Sequence, residues 1–399
     1  MFRIVRFSAI VGLSFLFLDL AFGIESSLPT SFTQVATLTP SDIDAPQALF
    51  GQGVAISGNT AVVGAPLANN GAGAAYVFVE PATGWGNMTQ TAELSASDSY
   101  AGLYFGGTVS ISGNTIVVGS SAHNTAYVFT KPKAGWTNMT ETARLSAAKN
   151  TNGIADQFGA NVAINGATIA VAAYQASFAR GRVDVFTEPK SGWVNAQPTG
   201  HLFAPDPKVN GFFGESLAVQ GTTIVVGALG DGVEGEAYVF VEPSSGWKGS
   251  HTQAAILTAS NATSSNFFGE VAVNGSTIVV GAFGLNNNTG AVYIFQKPSS
   301  GWVSMTQTAE LTASNGLSSD LLGVSVAMIG TTVIAGASSN GNAGAVYTFD
   351  EPAGGWVNGT QTSELSVSGT VDFGIAAGAS GQTFIAGEPY GAAFIFVEQ

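Results

Sequence analysis

A sixteen-residue stretch returns seven times along this chain, at its clearest from Phe213 to Ala228 as Phe-Gly-Glu-Ser-Leu-Ala-Val-Gln-Gly-Thr-Thr-Ile-Val-Val-Gly-Ala. Six copies open on Phe-Gly, at Phe50, Phe105, Phe158, Phe213, Phe268 and Phe373, and the remaining one opens on Leu322-Gly323. Successive openings are 55, 53, 55, 55, 54 and 51 residues apart. A period of that length built from alternating β-branched and small residues marks a modular β architecture, in which each repeat is one supersecondary unit.

Every copy carries the same four signals. After the opening pair comes a short alternating run and then a turn centred on Gly58, Gly113, Gly166, Gly221, Gly275, Gly330 or Gly381. Gly with Ser or Asn accepts the positive φ of a tight hairpin, so the first two strands pair. The second strand is β-branched and ends in a small pair, as in Ala61-Val62-Val63-Gly64-Ala65, which implies close approach of a neighbouring backbone. A loop of variable length leads to an aromatic third strand such as Tyr76-Val77-Phe78 or Phe394-Ile395-Phe396. Six third strands run into a Pro and, four residues later, a Trp: Trp85, Trp136, Trp193, Trp247, Trp302 and Trp356. One Trp per repeat at a fixed offset reads as a plug between repeats rather than a ligand platform. Leu94, Leu145, Leu202, Leu257, Leu311 and Leu365 mark the fourth strands.

A seventh such marker, Leu38, precedes the first Phe-Gly, whereas the last copy stops after its third strand at Gln399. An open array would leave uncapped strand edges at both ends. Closing the ring by placing residues 34–39 beside Ala393 to Val397 removes them. The expected fold is therefore an all-β, seven-bladed β-propeller with four antiparallel strands per blade, formed by residues 24–399.

These residues resemble the FG-GAP repeat β-propellers, named for their Phe-Gly and Gly-Ala-Pro pairs; Phe50-Gly51 and Gly64-Ala65-Pro66 carry both. The match is to the bacterial-type subgroup with a Trp after the aromatic strand, and the integrin α-subunit head is similar in blade layout. The resemblance implies extracellular binding or adhesion. In the integrin-like members an acidic loop between the first two strands holds Ca²⁺. Here the corresponding turns, from Ser57-Gly58-Asn59 to Ser380-Gly381-Gln382, contain no carboxylate, and no calcium site is expected there.

Arg3 and Arg6, the apolar run Phe7 to Leu18 and the small-x-small Ala21-Phe22-Gly23 read as a signal peptide over residues 1–23, so the protein is expected to be secreted, at the cell surface or periplasmic. Losing Arg3, Arg6 and Asp19 takes the formal charge from −14 to −15, which repels nucleic acid and anionic lipid. No later segment is long and apolar enough to insert in a membrane. The absence of Cys excludes disulfides, thiolate metal sites and Cys nucleophiles.

Candidates for chemistry are sparse, and no catalytic residue or cofactor is expected. His123, His201 and His251 occupy different places in different repeats, and His201 is read as a surface residue. Asp42, Asp98 and Asp206 share a column with Lys149, Asn261, Asn315 and Gly369, a mixture that suits turn capping better than acid catalysis. Asp231, Glu234 and Glu236 form the densest acidic loop and the one weak candidate for a cation. Sequons stand at Asn87, Asn138, Asn261, Asn274, Asn287 and Asn358 as candidate glycosylation sites, against about four expected by chance.

The expected function is an exported, non-enzymatic, monomeric scaffold that binds an extracellular protein or glycan. Its binding face is expected on the variable loops Leu67 to Gly73, Gly230 to Glu236 and Leu285 to Gly290, because variable loops on a rigid scaffold carry recognition. The alternative is a polysaccharide hydrolase or lyase with carboxylates gathered in the central channel. A channel lined by Gly, Ala and Val would favour the scaffold. A third reading is one module of a surface assembly with no ligand of its own.

Overall fold

In the computed structural model, which describes residues 30–42, 45–147, 156–230, 235–261 and 268–399, the repeats form seven sheets arranged as a ring. The expected leader at 1–23 lies outside the described residues. Blade one shows the pattern: strands Val54–Ser57, Thr60–Ala65, Ala74–Val79 and Ala92–Ser95 follow one another as antiparallel neighbours from the axis outwards. The closing strand spans Phe32–Thr39, two residues longer at its start than expected, and pairs with Ala392–Glu398 through Thr37↔Phe394 and Leu38↔Ala393. The N-terminal segment thus completes blade seven and welds the ring.

Seven apolar clusters fill the seven interfaces between blades. The opening aromatics lie at their centres; Phe50, Phe105, Phe158, Phe213 and Phe373 are fully buried. Each Phe ring meets aromatic rings of its own third strand, as Phe105 meets Tyr127 at 5.3 Å and Phe129 at 5.9 Å. Each Trp packs between its own blade and the preceding one, as the repeat spacing implied. The interface of blades six and seven has no Trp. Phe32 takes its place, 7% exposed and edge-on to Phe384 at 5.1 Å.

A further feature, which no local sequence signal announces, joins the blades at the rim. The segment between each Trp and its fourth strand crosses to the preceding blade and adds a short parallel strand to it. Met88–Thr89 pairs with the closing strand of blade seven through Leu38↔Met88, and Met139–Thr140 pairs with blade one through Leu94↔Met139. Gly249–His251, Met305–Thr306 and Gly359–Thr360 do the same for blades three, four and five, and a single bridge from Ala196 to Leu145 serves blade two.

Polar side chains lock this clasp. Asn87 Oδ1 accepts from Thr37 N at 2.9 Å, Asn138 Oδ1 from Glu93 N at 2.9 Å, Asn195 Oδ1 from Arg144 N at 2.8 Å, Ser304 Oγ from Ile256 N at 3.1 Å and Asn358 Oδ1 from Glu310 N at 2.8 Å. Three residues after four of these, Asn195 being the exception, Gln90, Glu141, Gln307 and Gln361 accept from the backbone N–H of Ser41, Ser97, Ser260 and Ser314. The recurring Asn/Ser-x-Thr-Gln/Glu pattern is therefore a joint between blades.

A second set of links encircles the lower mouth of the axis, where the first hairpins turn. Ser57 Oγ accepts from Gly113 N at 3.0 Å, Ser112 Oγ from Gly166 N at 3.0 Å, Asn165 Oδ1 from Gly221 N at 3.1 Å and Ser380 Oγ from Gly58 N at 3.0 Å. Gln220 Oε1 accepts from Gly275 N, and Asn274 Nδ2 donates to Gly330 O at 2.9 Å. Ile329, at the same place in blade six, cannot make the link. The neutral turns that lack calcium ligands thus hold their neighbours by hydrogen bonds.

Candidate functional site

Antiparallel succession sorts the loops onto two faces. The loops joining second to third strands and those leading from one blade to the next share the upper face; the first hairpin turns and the Pro-to-Trp segments share the lower. Among the described residues, every exposed large aromatic side chain is on the upper face or its rim: Tyr100, Tyr104, Phe178, Phe203 and Tyr390. Leu67, Val209, Leu317 and Val371 add to it, whereas the exposed large side chains toward the lower face are Val194, Val241, Val303 and Val357. Apolar exposure concentrated on one face is the expected mark of an interaction surface.

Local backbone geometry presents these rings. Phe178, the most exposed at 65%, is at the tip of the loop Ala176–Ala179, where Ser177, Phe178 and Ala179 all have positive φ. Tyr104 has φ +52 and is fastened to the loop of blade one by hydrogen bonds of 3.0 Å from Tyr104 N and Gly102 N to Gly71 O. Tyr100 stands edge-on to His123 at 5.7 Å. Of the three loops expected to form the binding face, 67–73 and 285–290 are described in full and turn through left-handed pairs at Asn69-Asn70 and Asn286-Asn287.

Behind Tyr100 is a polar network on the rim of blade two. Arg144 Nη1 meets Asp98 Oδ2 at 2.7 Å and Arg144 Nε meets Glu141 Oε1 at 2.6 Å, while the guanidinium is 5.8 Å from the Tyr127 ring centre. Tyr127 donates to Asp98 Oδ1 at 3.0 Å, and His123 Nδ1 lies 2.9 Å from the Tyr127 hydroxyl. Burial, and after it the Asp98 charge, pushes the Tyr127 hydroxyl far above its ordinary pKa. Burial alone would raise Glu141, but hydrogen bonds from Arg144 and Ser97 outweigh it and hold the carboxylate below its ordinary range.

The axial channel encloses about 510 Å³ and is walled by the first strands, through residues such as Val54, Ile56, Val109, Ile111, Val162 and Ala218. Glu270 is the single carboxylate among its lining residues. It is enclosed by the channel wall while keeping partial access to water, and that burial pushes its pKa up to about 8, against a hydrogen bond from Ser216 that lowers it. The nearby Glu215 adds to the rise, and is itself raised by burial.

The acidic column has a role other than turn capping. Asp98, Asn261 and Asn315 accept from the buried hydroxyls of Tyr127, Tyr293 and Tyr347 at 3.0, 2.9 and 3.2 Å. Blade three has Asp184 where those blades have Tyr, so the exposed Asp206 meets no hydroxyl there. Asp184 is fully buried and is held instead by Arg182 Nε at 3.0 Å and His201 Nδ1 at 2.6 Å. His201 is thus the partner of a buried carboxylate rather than a simple surface residue. His251 packs edge-on to Trp247 at 5.1 Å. Among the described residues no three His, Asp or Glu side chains are gathered to hold a metal.

Asp231 and Glu234 of the acidic loop, and Lys149 of the column, lie outside the described residues. Glu236 is described and accepts from the Tyr238 hydroxyl. The sequons divide by geometry. Asn87, Asn138 and Asn358 are exposed and use only Oδ1, in the clasp. Asn274 and Asn261 use Nδ2 as well, donating to Gly330 O at 2.9 Å and to Glu310 Oε2 at 3.1 Å. Asn287 is exposed on the upper face with φ +58.

Among the described residues no helix is long and apolar enough to cross a membrane. No curated protein matches the chain. The FG-GAP repeat model matches it five times, over residues 32–78, 88–129, 197–240, 251–295 and 305–349. Each match runs from the clasp or fourth strand of one blade to the third strand of the next, a unit that spans an interface between blades. Five matches over more than half of the chain, on a ring whose interfaces are built by the Phe-Gly and Gly-Ala pairs themselves, show that the chain belongs to the FG-GAP repeat family.

Proposed function

We propose that the protein is an exported, non-enzymatic binding scaffold that captures an extracellular protein or glycan on the upper face of the propeller. The observation that carries this reading is the restriction of exposed aromatic rings to that face, with Tyr104 and Phe178 raised by positive-φ backbone and Tyr100 exposed with them. Aromatic side chains supply large contact area at small entropic cost, and FG-GAP repeats are typical of extracellular proteins. The channel supports the same reading, since its wall is dominated by Gly, Ala, Val and Ile.

The second reading, a polysaccharide hydrolase or lyase, draws support from Glu270, whose pKa of about 8 suits a proton donor, and from the neighbouring Glu215. Glycan and protein arrays probed with residues 24–399 test both. Binding that Tyr100→Ala, Tyr104→Ala and Phe178→Ala abolish and Glu270→Gln leaves intact supports the scaffold. Release of reducing ends from a polysaccharide, lost in Glu270→Gln, would replace it with the enzyme.

A further inference from the structure

Among the described residues, six of the seven blades have their outer strand covered by a clasp, and blade six does not. Its sheet ends at Ser363–Leu365, and no described segment pairs with the outer edge of that strand. The receiving half of the clasp is nevertheless present. Glu364 and Ser368 occupy the places of Glu310 and Ser314 in blade five, whose backbone N–H groups meet Asn358 and Gln361. Glu364 and Ser368 are exposed, and Leu365 is partly open where Leu38, Leu94, Leu145, Leu202 and Leu257 are fully buried.

The chain's own candidate for the position is held elsewhere. Ser31-Phe32-Thr33-Gln34 has the clasp pattern, but Phe32↔Glu398, Thr33↔Val397 and Gln34↔Phe396 keep it on blade seven, with Phe32 buried as the plug. Gln34 turns back on its own strand, donating to Thr37 Oγ1 at 3.2 Å. The six other segments of this type, one after each Trp, are engaged on their preceding blades.

We propose that the outer edge of blade six is a docking site for an extended segment of another protein, of the pattern Asn/Ser-x-Thr-Gln/Glu, which adds to Ser363–Leu365 as a short parallel strand. The four clasps within the molecule that carry both polar locks define what the edge recognises. An Asn or Ser oxygen accepts from Glu364 N, two residues pair with the strand and cover Leu365, and a Gln or Glu accepts from Ser368 N. Main-chain pairing supplies affinity and the two polar side chains set the register. The site lies on the rim and is separate from the upper face.

A synthetic peptide with the sequence of residues 86–91, Gly-Asn-Met-Thr-Gln-Thr, tests this against the whole protein by amide hydrogen exchange. The expected result is saturable, several-fold slowing at Glu364 and Ser368, absent with peptides in which the Asn or the Gln is Ala, and weakened by Ser368→Pro, which removes the receiving N–H. Ser368→Ala keeps that N–H and should bind like the wild type, which separates loss of the site from loss of the fold. Absence of slowing at millimolar peptide, or equal slowing on all outer strands, would overturn the proposal. Concentration-dependent dimerisation that protects the same amides without peptide would also overturn it, by making the occupant a second copy.

Discussion

The carbonyl oxygen of Gly106 occupies the space that a β-carbon on Gly64 would need. The same relation recurs around the ring, between Gly119 and Gly159, Gly227 and Gly269, Gly281 and Gly323, Gly336 and Gly374, and Gly387 and Gly51. The second residue of Phe-Gly in one blade thus presses on the Gly of Gly-Ala in the blade before. The two halves of the repeat signature are the two sides of one contact.

Gly64→Ala should therefore push blades one and two apart and destabilise the protein by roughly 2–4 kcal/mol, as overpacking at backbone does. Thermal unfolding would register it as a lower midpoint, and an unchanged midpoint would mean that the interface yields. Blade three already carries Ala172 at this position, its β-carbon 3.0 Å from where one on Gly214 would sit. Ala172→Gly should cost no more than about 1 kcal/mol, the backbone entropy of the new glycine.

Phe32 closes the ring without a covalent connection to blade six. Truncation to Ala should cost about 3–5 kcal/mol in urea unfolding, the range for a buried Phe. The loss should appear first as faster amide exchange along Phe32–Thr39 and Ala392–Glu398, because those strands share the weakened interface.

Asn87 belongs to both a sequon and a clasp, and two substitutions separate the roles. Asn87→Ala removes the acceptor for Thr37 N and should cost about 1 kcal/mol in protein made without glycosylation. Asn87→Asp keeps an acceptor oxygen while also destroying the sequon, and should retain most of that stability. Equal losses in the two variants would show that the hydrogen bond is not what matters.

Glu270 makes stability depend on pH. Its folded pKa, about 8, is above the ordinary carboxylate value, so the folded state holds a proton that the unfolded chain releases. The contribution is complete below the ordinary value and is lost as pH rises through about 8. Glu270→Gln, which stays neutral, should match the wild type near pH 4 and melt about 3 °C or more higher near pH 9. A constant difference across that range would refute the shift.

Much of the ring was legible because its signals are local. Gly58 and Asn165-Gly166 announce hairpins, Tyr76-Val77-Phe78 announces a strand, and Leu38 ahead of the first Phe-Gly announces the closure. Asp98 and Asn261 were harder: their column mixes residue types, and their purpose appears only where a buried Tyr hydroxyl from the third strand reaches them. The clasp was written in the sequence as Asn-x-Thr-Gln, but its partner is about fifty residues away and on another blade, so it read as chance sequons. The axial carboxylate was also hidden, because the missing residue between Phe268 and Gly275 places Glu270 in line with Gly53, Thr108 and Ser216.

What the sequence by itself determined is the number of blades, the order of strands and the way the ring closes, since periodicity, turn residues and β-branched runs act within one repeat. Tertiary structure alone decided how the blades grip one another. Leu49, Tyr104, Gln157, Phe212, Leu321 and Asp372, each just before a Phe-Gly or Leu-Gly pair, all have positive φ between 52° and 63°. Nothing local asks this of such residues, and each costs about 1 kcal/mol or more. Burial of the aromatic or Leu that follows, between two blades that exist only once the ring has formed, outweighs that cost.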